Sequence, residues 1–298
     1  MLEQFFFSMR IAWVAGQIST RHRLEKYPHA LAYRHPLEQK LFDTLNSSKS
    51  GVFVHWGVYE SGKSTAVREA AWRLQEVGRQ VIHFHGFDFS SYKQPEGRLR
   101  RAIGVPADMD DKHLSDFFLR DTTIIIDHFD TLMRDKDESA VRTLELVRDL
   151  IKESETTRKF NVLIVVNSWE RAQELVGAGC QLVPSDVPAR WTREQLETLF
   201  ATLPADVINN VGDKKDTLLR LATLSGTPGF LVFEANCKNL PNARYAAMHD
   251  LEWRKGIKAL YEPLQELPSD ITTMEGRFPD RNGNYHHKDV FSLLIEGF

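Results

Sequence analysis

Gly57-Val58-Tyr59-Glu60-Ser61-Gly62-Lys63-Ser64 leaves this chain few folds to choose from. It fits the pattern G-x-x-x-x-G-K-[ST], and it stands between an apolar run, Val52-Phe53-Val54-His55-Trp56, and a helical stretch from Thr65 to Val77. A strand that turns through glycines into a helix points several main-chain N–H groups at one spot, and the positive end of the helix backs them. That spot suits the phosphates of a nucleotide. Lys63 then reaches the outer phosphates, the Ser64 hydroxyl ligates Mg²⁺, and Glu60, Ser61, Gly62 and Thr65 complete the cradle.

The surrounding pattern asks for a parallel sheet. Short apolar runs recur at Val81 to His85, Thr122 to Ile126, Val162 to Val166 and, more weakly, Cys180 to Val183, with longer helical patterns between them. Ile124 to Ile126 and Val162 to Val166 lack alternation, as expected of central strands covered on both faces. Val141, Leu144, Val147, Leu150 and Ile151 recur at helical spacing. After Pro188 no strand run follows. Thr192 and Gln195 have the spacing of a capping box opening a helix over 193–202, and further helices are expected at 215–224 and 251–266. The expected division is an apolar N-terminal segment (1–30), a nucleotide-binding core (31–189), and a helical lid with a turn-rich tail (190–298).

Composition removes other classes. With 298 residues, 42% of them hydrophobic and 27% charged, the chain can bury a sizeable core. Its 38 basic and 41 acidic residues give a net charge of −3, so no broad field for nucleic acid or anionic membrane is indicated. Cys180 and Cys237 are too few for a disulfide framework or a four-thiolate zinc site, and they suit a reducing, cytoplasmic compartment. The apolar run from Phe5 to Ala15 is too short to span a membrane and is broken by Arg10. It reads as a helix packing on the domain or a partner, with an interfacial anchor or a processed leader as alternatives.

Ile124-Ile125-Ile126-Asp127 is a buried strand ending in a carboxylate. Beside a phosphate loop, such an aspartate holds the metal. Together with Gly57–Ser64, Val162–Asn167 and Gly226-Thr227-Pro228, this segment resembles the additional-strand P-loop ATPases, the group of AAA+ and STAND proteins, over roughly residues 34–230. The resemblance implies a three-layer α/β/α core with a five-stranded parallel sheet of order 5-1-4-3-2 and a smaller C-terminal helical lid. ATP and Mg²⁺ are the implied cofactors, and a protein partner or self-association is implied as well.

Residue by residue, Arg34-His35-Pro36 resembles the segment that helps to cover the adenine, and Pro228 falls in the Gly-x-Pro turn of the lid. Asn167 resembles the sensor that contacts the γ-phosphate or the attacking water, although a turn residue would look the same. AAA+ enzymes usually carry Glu directly after the metal Asp. This chain reads Asp127-His128-Phe129-Asp130, and Asp130 matches the second acidic residue of NACHT-type STAND proteins. Asp130 and His128 are therefore the candidates for orienting water. The expected function is Mg-dependent ATP hydrolysis gating a conformational change. Its alternative is a nucleotide-dependent switch with little turnover, of the kind found in Crinkler-type effectors, mobile-element helpers and defence systems.

Charge-neutralising arginine candidates are Arg142, Arg148, Arg158, Arg171, Arg190 and Arg193, and spacing selects none of them. His83 and His85 share a strand face like half a metal site. No third ligand stands at recognisable spacing, so a zinc site is set aside. The basic group Lys93, Arg98, Arg100 and Arg101 is read as a solvated loop, with nucleic-acid phosphate as the other reading.

Overall fold

The computed structural model describes residues 2–21, 37–47, 50–85, 95–109, 114–118, 121–132, 145–152, 154, 160–183, 190–237 and 241–261. Five parallel strands, β1 (Gly51–Trp56), β2 (Gln80–His85), β3 (Thr122–Asp127), β4 (Phe160–Val166) and β5 (Gln181–Leu182), form one sheet in the order β2-β3-β4-β1-β5. This is the order that the resemblance implies, read from the other edge. β1, β3 and β4 are buried along their whole length, which is why their apolar runs are continuous. β5 is shorter than its apolar run: only Gln181 and Leu182 pair with β1, at Phe53 and Val54. The edge continues by other means, since Val183 N–H donates to the Val54 carbonyl at 2.8 Å and His55 Nδ1 lies 2.9 Å from the Val183 carbonyl.

Helices between the strands take their positions from small and branched apolar residues. In α3 (Lys63–Glu76), Ala66, Val67, Ala70, Ala71 and Leu74 make one buried face. Leu41 and Leu45 do the same for α2 (Glu38–Asn46). These two helices pack together, and Arg73 joins them by pairing with Glu38 at 2.7 Å and standing over the Phe42 ring at 4.0 Å. Buried Asn161 of β4 donates to the Leu45 carbonyl at 2.9 Å, satisfying the C-terminal turn of α2. The N-terminal helix α1 (Leu2–Arg21) buries Val14, Ala15 and Ile18, and its Arg10 pairs with Asp108 at 2.7 Å. Among the described residues this part also contains the α-helices α4 (Pro95–Ile103), α5 (residues 145–152) and α6 (Trp169–Gly177). No described helix is long and apolar enough to cross a membrane.

Contacts divide the chain into two units, Met1–Gly57 with Lys63–Ser185, and Val58–Gly62 with Asp186–Phe298. The second unit is helical: α7 (Arg193–Ala201), α8 (Ala205–Val211), α9 (Lys215–Ser225), α10 (Pro228–Asn236) and α11 (Ala243–Tyr261). The expected capping box at Thr192 and Gln195 is present in both directions. α9 is central: it packs against α7, α10 and α11 and buries Leu218, Leu219, Leu221 and Ala222. Trp253 of α11 donates its Nε1–H to the Ser225 carbonyl at 2.9 Å, and Asp250 pairs with Arg190 and Arg254 at 2.7 Å each. α8 and α10 answer to no helix expected from the sequence, and α11 begins eight residues before the expected position.

Candidate functional site

β1 leads into the glycine-rich loop, and α3 begins at Lys63. Within the loop Glu60 has φ 64° and Gly62 φ 85°, so the chain turns twice through the left-handed region. At Gly62 the absent Cβ makes this inexpensive. At Glu60 the turn is strained and is held from outside: its carbonyl accepts the Gly229 N–H at 3.0 Å, and its Oε1 accepts the Tyr245 hydroxyl at 3.0 Å. A Cβ at Gly229 would lie 2.6 Å from Glu60 Cβ, so this approach requires glycine. Burial raises the Glu60 carboxyl above its ordinary range, Tyr245 opposes that, and Glu234 adds to it. Burial likewise pushes Tyr245 up to about 12, with the Glu60 charge contributing. The sequence offers no signal for Tyr245, which stands 185 positions from its partner.

Lys63 is buried, with 6% of its surface exposed, and burial lowers its ammonium to about 8. Asp127 and Asp130 oppose that shift by favouring the charged form. The two carboxylates are held differently. Asp127, the last residue of β3, is 1% exposed; its Oδ1 accepts the His128 N–H at 2.8 Å, and its Oδ2 has no hydrogen-bond partner among the described residues. Both oxygens of Asp130 are engaged. Its Oδ2 accepts from the Asn167 backbone N–H at 2.8 Å and from Asn167 Nδ2 at 2.9 Å, and its Oδ1 accepts from Ser168 N–H at 3.3 Å. Two residues singled out separately in the sequence thus form one clamp between the turn after β3 and the end of β4.

Ser64, Thr65, Arg68, Glu69, His83, His85 and Asp127 line a cleft of about 100 Å³ that is open to solvent. Ser64 and Asp127 therefore face a common space. A buried carboxylate oxygen without a partner is costly unless a cation or water satisfies it, and the Ser64 hydroxyl lining the same cleft adds a second oxygen of the kind Mg²⁺ takes alongside water and phosphate. The residues present fit that ion. His128 has φ 55°, making it and Glu60 the non-glycine residues with positive φ among those described.

Pro228 is the first residue of α10, behind the Thr227 cap whose hydroxyl accepts the Phe230 N–H. Arg34 and His35 lie outside the described residues, as do Lys93, Arg142 and Arg158. Of the remaining arginine candidates, Arg171 pairs with Glu174 at 2.8 Å, Arg190 with Asp250, and Arg193 with Glu197 and Asp216 at 2.8 Å each; Arg148 is exposed on α5. Arg100 and Arg101 fall in the last turn of α4. Cys180 is buried and its thiol is pushed up to about 12, which suits an inert core position.

No family model matches this chain, and no curated protein matches it. Solved structures do. A chain of Drosophila ORC bound to DNA has a TM-score of 0.47 and 13% identity, over 87% of this chain and 82% of that one. The Walker-type ATPase of Pyrococcus abyssi gives 0.43 and 13% identity, over 86% and 79%. Domain III of the Thermotoga maritima replication initiation protein DnaA gives 0.38 and 13% identity, over 80% and 97%. At these values none of them assigns a function to this chain.

Proposed function

We propose that this chain binds ATP with Mg²⁺ in the manner of the AAA+ and STAND ATPases and hydrolyses it slowly, so that its nucleotide state acts as a switch. What carries the reading is the pairing of a phosphate-loop lysine, buried at the first turn of α3, with a buried carboxylate oxygen at the end of β3 that has no hydrogen-bond partner among the described residues. Lys63 neutralises the outer phosphates, and the loop N–H groups hold them. Ser64 and Asp127 hold the metal ion, which when bound shields the phosphate charge from an approaching water.

Slow turnover follows from Asp130. Its three hydrogen bonds from Asn167 and Ser168 occupy the carboxylate that the sequence offers in place of the usual Glu. Because Asn167 Nδ2 donates to Asp130, the Asn167 side-chain oxygen is left to accept from a water. Asn167 orients that water, Asp130 positions Asn167, and neither removes a proton efficiently. Orientation without a strong base leaves a low rate.

Calorimetric titration of ATP beside a phosphate-release assay tests this. The expected result is Mg-dependent ATP binding with slow release, and at least a tenfold loss of both in Lys63→Ala. Failure to bind ATP or GTP at millimolar concentration with Mg²⁺ present overturns the reading. Rapid release would remove the switch and leave an ordinary ATPase.

A further inference from the structure

The C-terminal ends of β2 and β3 gather more ligands than Mg²⁺ uses. His85 and Asp127 are register partners and the last residues of adjacent parallel strands. His128 follows directly, its ring centroid 5.6 Å from that of His85. One ligand atom from each of His85, Asp127 and His128 lies within 4.8 Å of the other two. Atoms bound tetrahedrally to a common ion at zinc-like distances stand about 3.4 Å apart, and rotation of the exposed His85 side chain is what would close the set. The Asp127 Oδ2 atom, buried and without a hydrogen-bond partner among the described residues, is a second observation pointing to a cation.

We propose that His85, Asp127 and His128 form a site for a nitrogen-favouring divalent ion of the Zn²⁺ and Co²⁺ class. Two imidazoles and one carboxylate suit such ions, whereas Mg²⁺ selects oxygen. Three protein ligands leave a coordination position open to water or a phosphate oxygen. The sequence hides the site because its third ligand is a neighbour in space: β3 lies beside β2 and delivers Asp127 and His128 together. One consequence rests on the proposed function. Asp127 is shared, so an ion held by the histidines competes with Mg²⁺ for that carboxylate.

The test uses the full chain without nucleotide: calorimetric titration with Zn²⁺ and visible spectroscopy with Co²⁺. The expected result is one Zn²⁺ per chain and a Co²⁺ d–d spectrum. His85→Asn and His128→Asn should each weaken Zn²⁺ binding at least about tenfold, a direct ligand mattering no less than the second-shell groups whose loss costs that much. Asn tolerates the left-handed backbone at 128, and His85 is exposed, so both variants should fold, as an unchanged metal-free melting temperature would show. As a control, the double variant His286→Asn/His287→Asn, which removes the adjacent histidine pair of the C-terminal tail, should bind as the wild type does. Absence of Zn²⁺ binding in the wild type, wild-type affinity in the His85 and His128 variants, or loss of binding in the tail variant overturns the site. With no nucleotide present, any of these results leaves the ATP reading to its own test.

Discussion

The loop after β1 and the turn after β3 each contain a non-glycine residue in the left-handed region, yet they are restrained by different parts of the chain. Glu60 is held within the second unit by Gly229 and Tyr245. The turn at His128 is tied within the sheet unit, by the Asp127 carboxylate on one side and by Asp130 reaching the end of β4 on the other. A change in the helices of the second unit should therefore act on the phosphate loop and on nucleotide affinity. A change at the β3 turn should act on water placement and on turnover.

Predictions that would break this contrast can be ordered by size. Asp130→Ala frees Asn167 and should lower the rate of phosphate release by about a hundredfold, the scale of losing one preorganised hydrogen-bonding group, with ATP affinity changed less than threefold. An equal loss in both would show that Asp130 serves the loop as well. Gly229→Ala places a Cβ against Glu60 and should weaken ATP binding by an amount on the order of 1–3 kcal/mol while leaving the rate of bound ATP nearly unchanged. Tyr245→Phe removes one hydrogen bond and should show the same pattern at about 1 kcal/mol or less. If either variant slowed the chemical step more than it weakened binding, the two restraints would not be separate.

The smallest effect concerns pH. Burial holds Lys63 at about 8 in the folded protein, against an ordinary value of 10.5. Between those values the unfolded chain keeps a proton that the folded chain has released, so this group's contribution to stability rises with pH across that window. ATP affinity should fall over the same window, because the ammonium that meets the phosphates is lost. Thermal melts of the nucleotide-free protein check the first trend and should lose it in Lys63→Met; titrations of ATP check the second. Both trends in one direction would contradict the assignment of Lys63 as a buried phosphate ligand.

Much of this architecture is legible from residue order, for reasons visible at particular positions. Strands buried on both faces must be apolar throughout, so Ile124 to Ile126 and Val162 to Val166 declare themselves. The capping box at Thr192 is equally local. α10 escapes notice because its segment, Pro-Gly-Phe-Leu-Val-Phe-Glu-Ala-Asn, is largely apolar and has no stripe; Phe230 and Leu231 are buried while Val232 and Phe233 are exposed. α11 starts early because Ala246, His249 and Trp253 make a buried face that continues upstream of the apolar pattern at Leu251.

Residue order alone determined the glycine-rich loop and the carboxylate at the strand end, because each rests on neighbours in the chain, and the resemblance these segments carry implied the sheet order. Tertiary structure alone decided that Asp130 serves Asn167, that Tyr245 holds Glu60, and that His85 meets Asp127 and His128. Those pairings join residues from 37 to 185 positions apart or across two strands. Local spacing carries no information about them, since packing of the sheet and helices brings them within bonding distance only after the chain has folded.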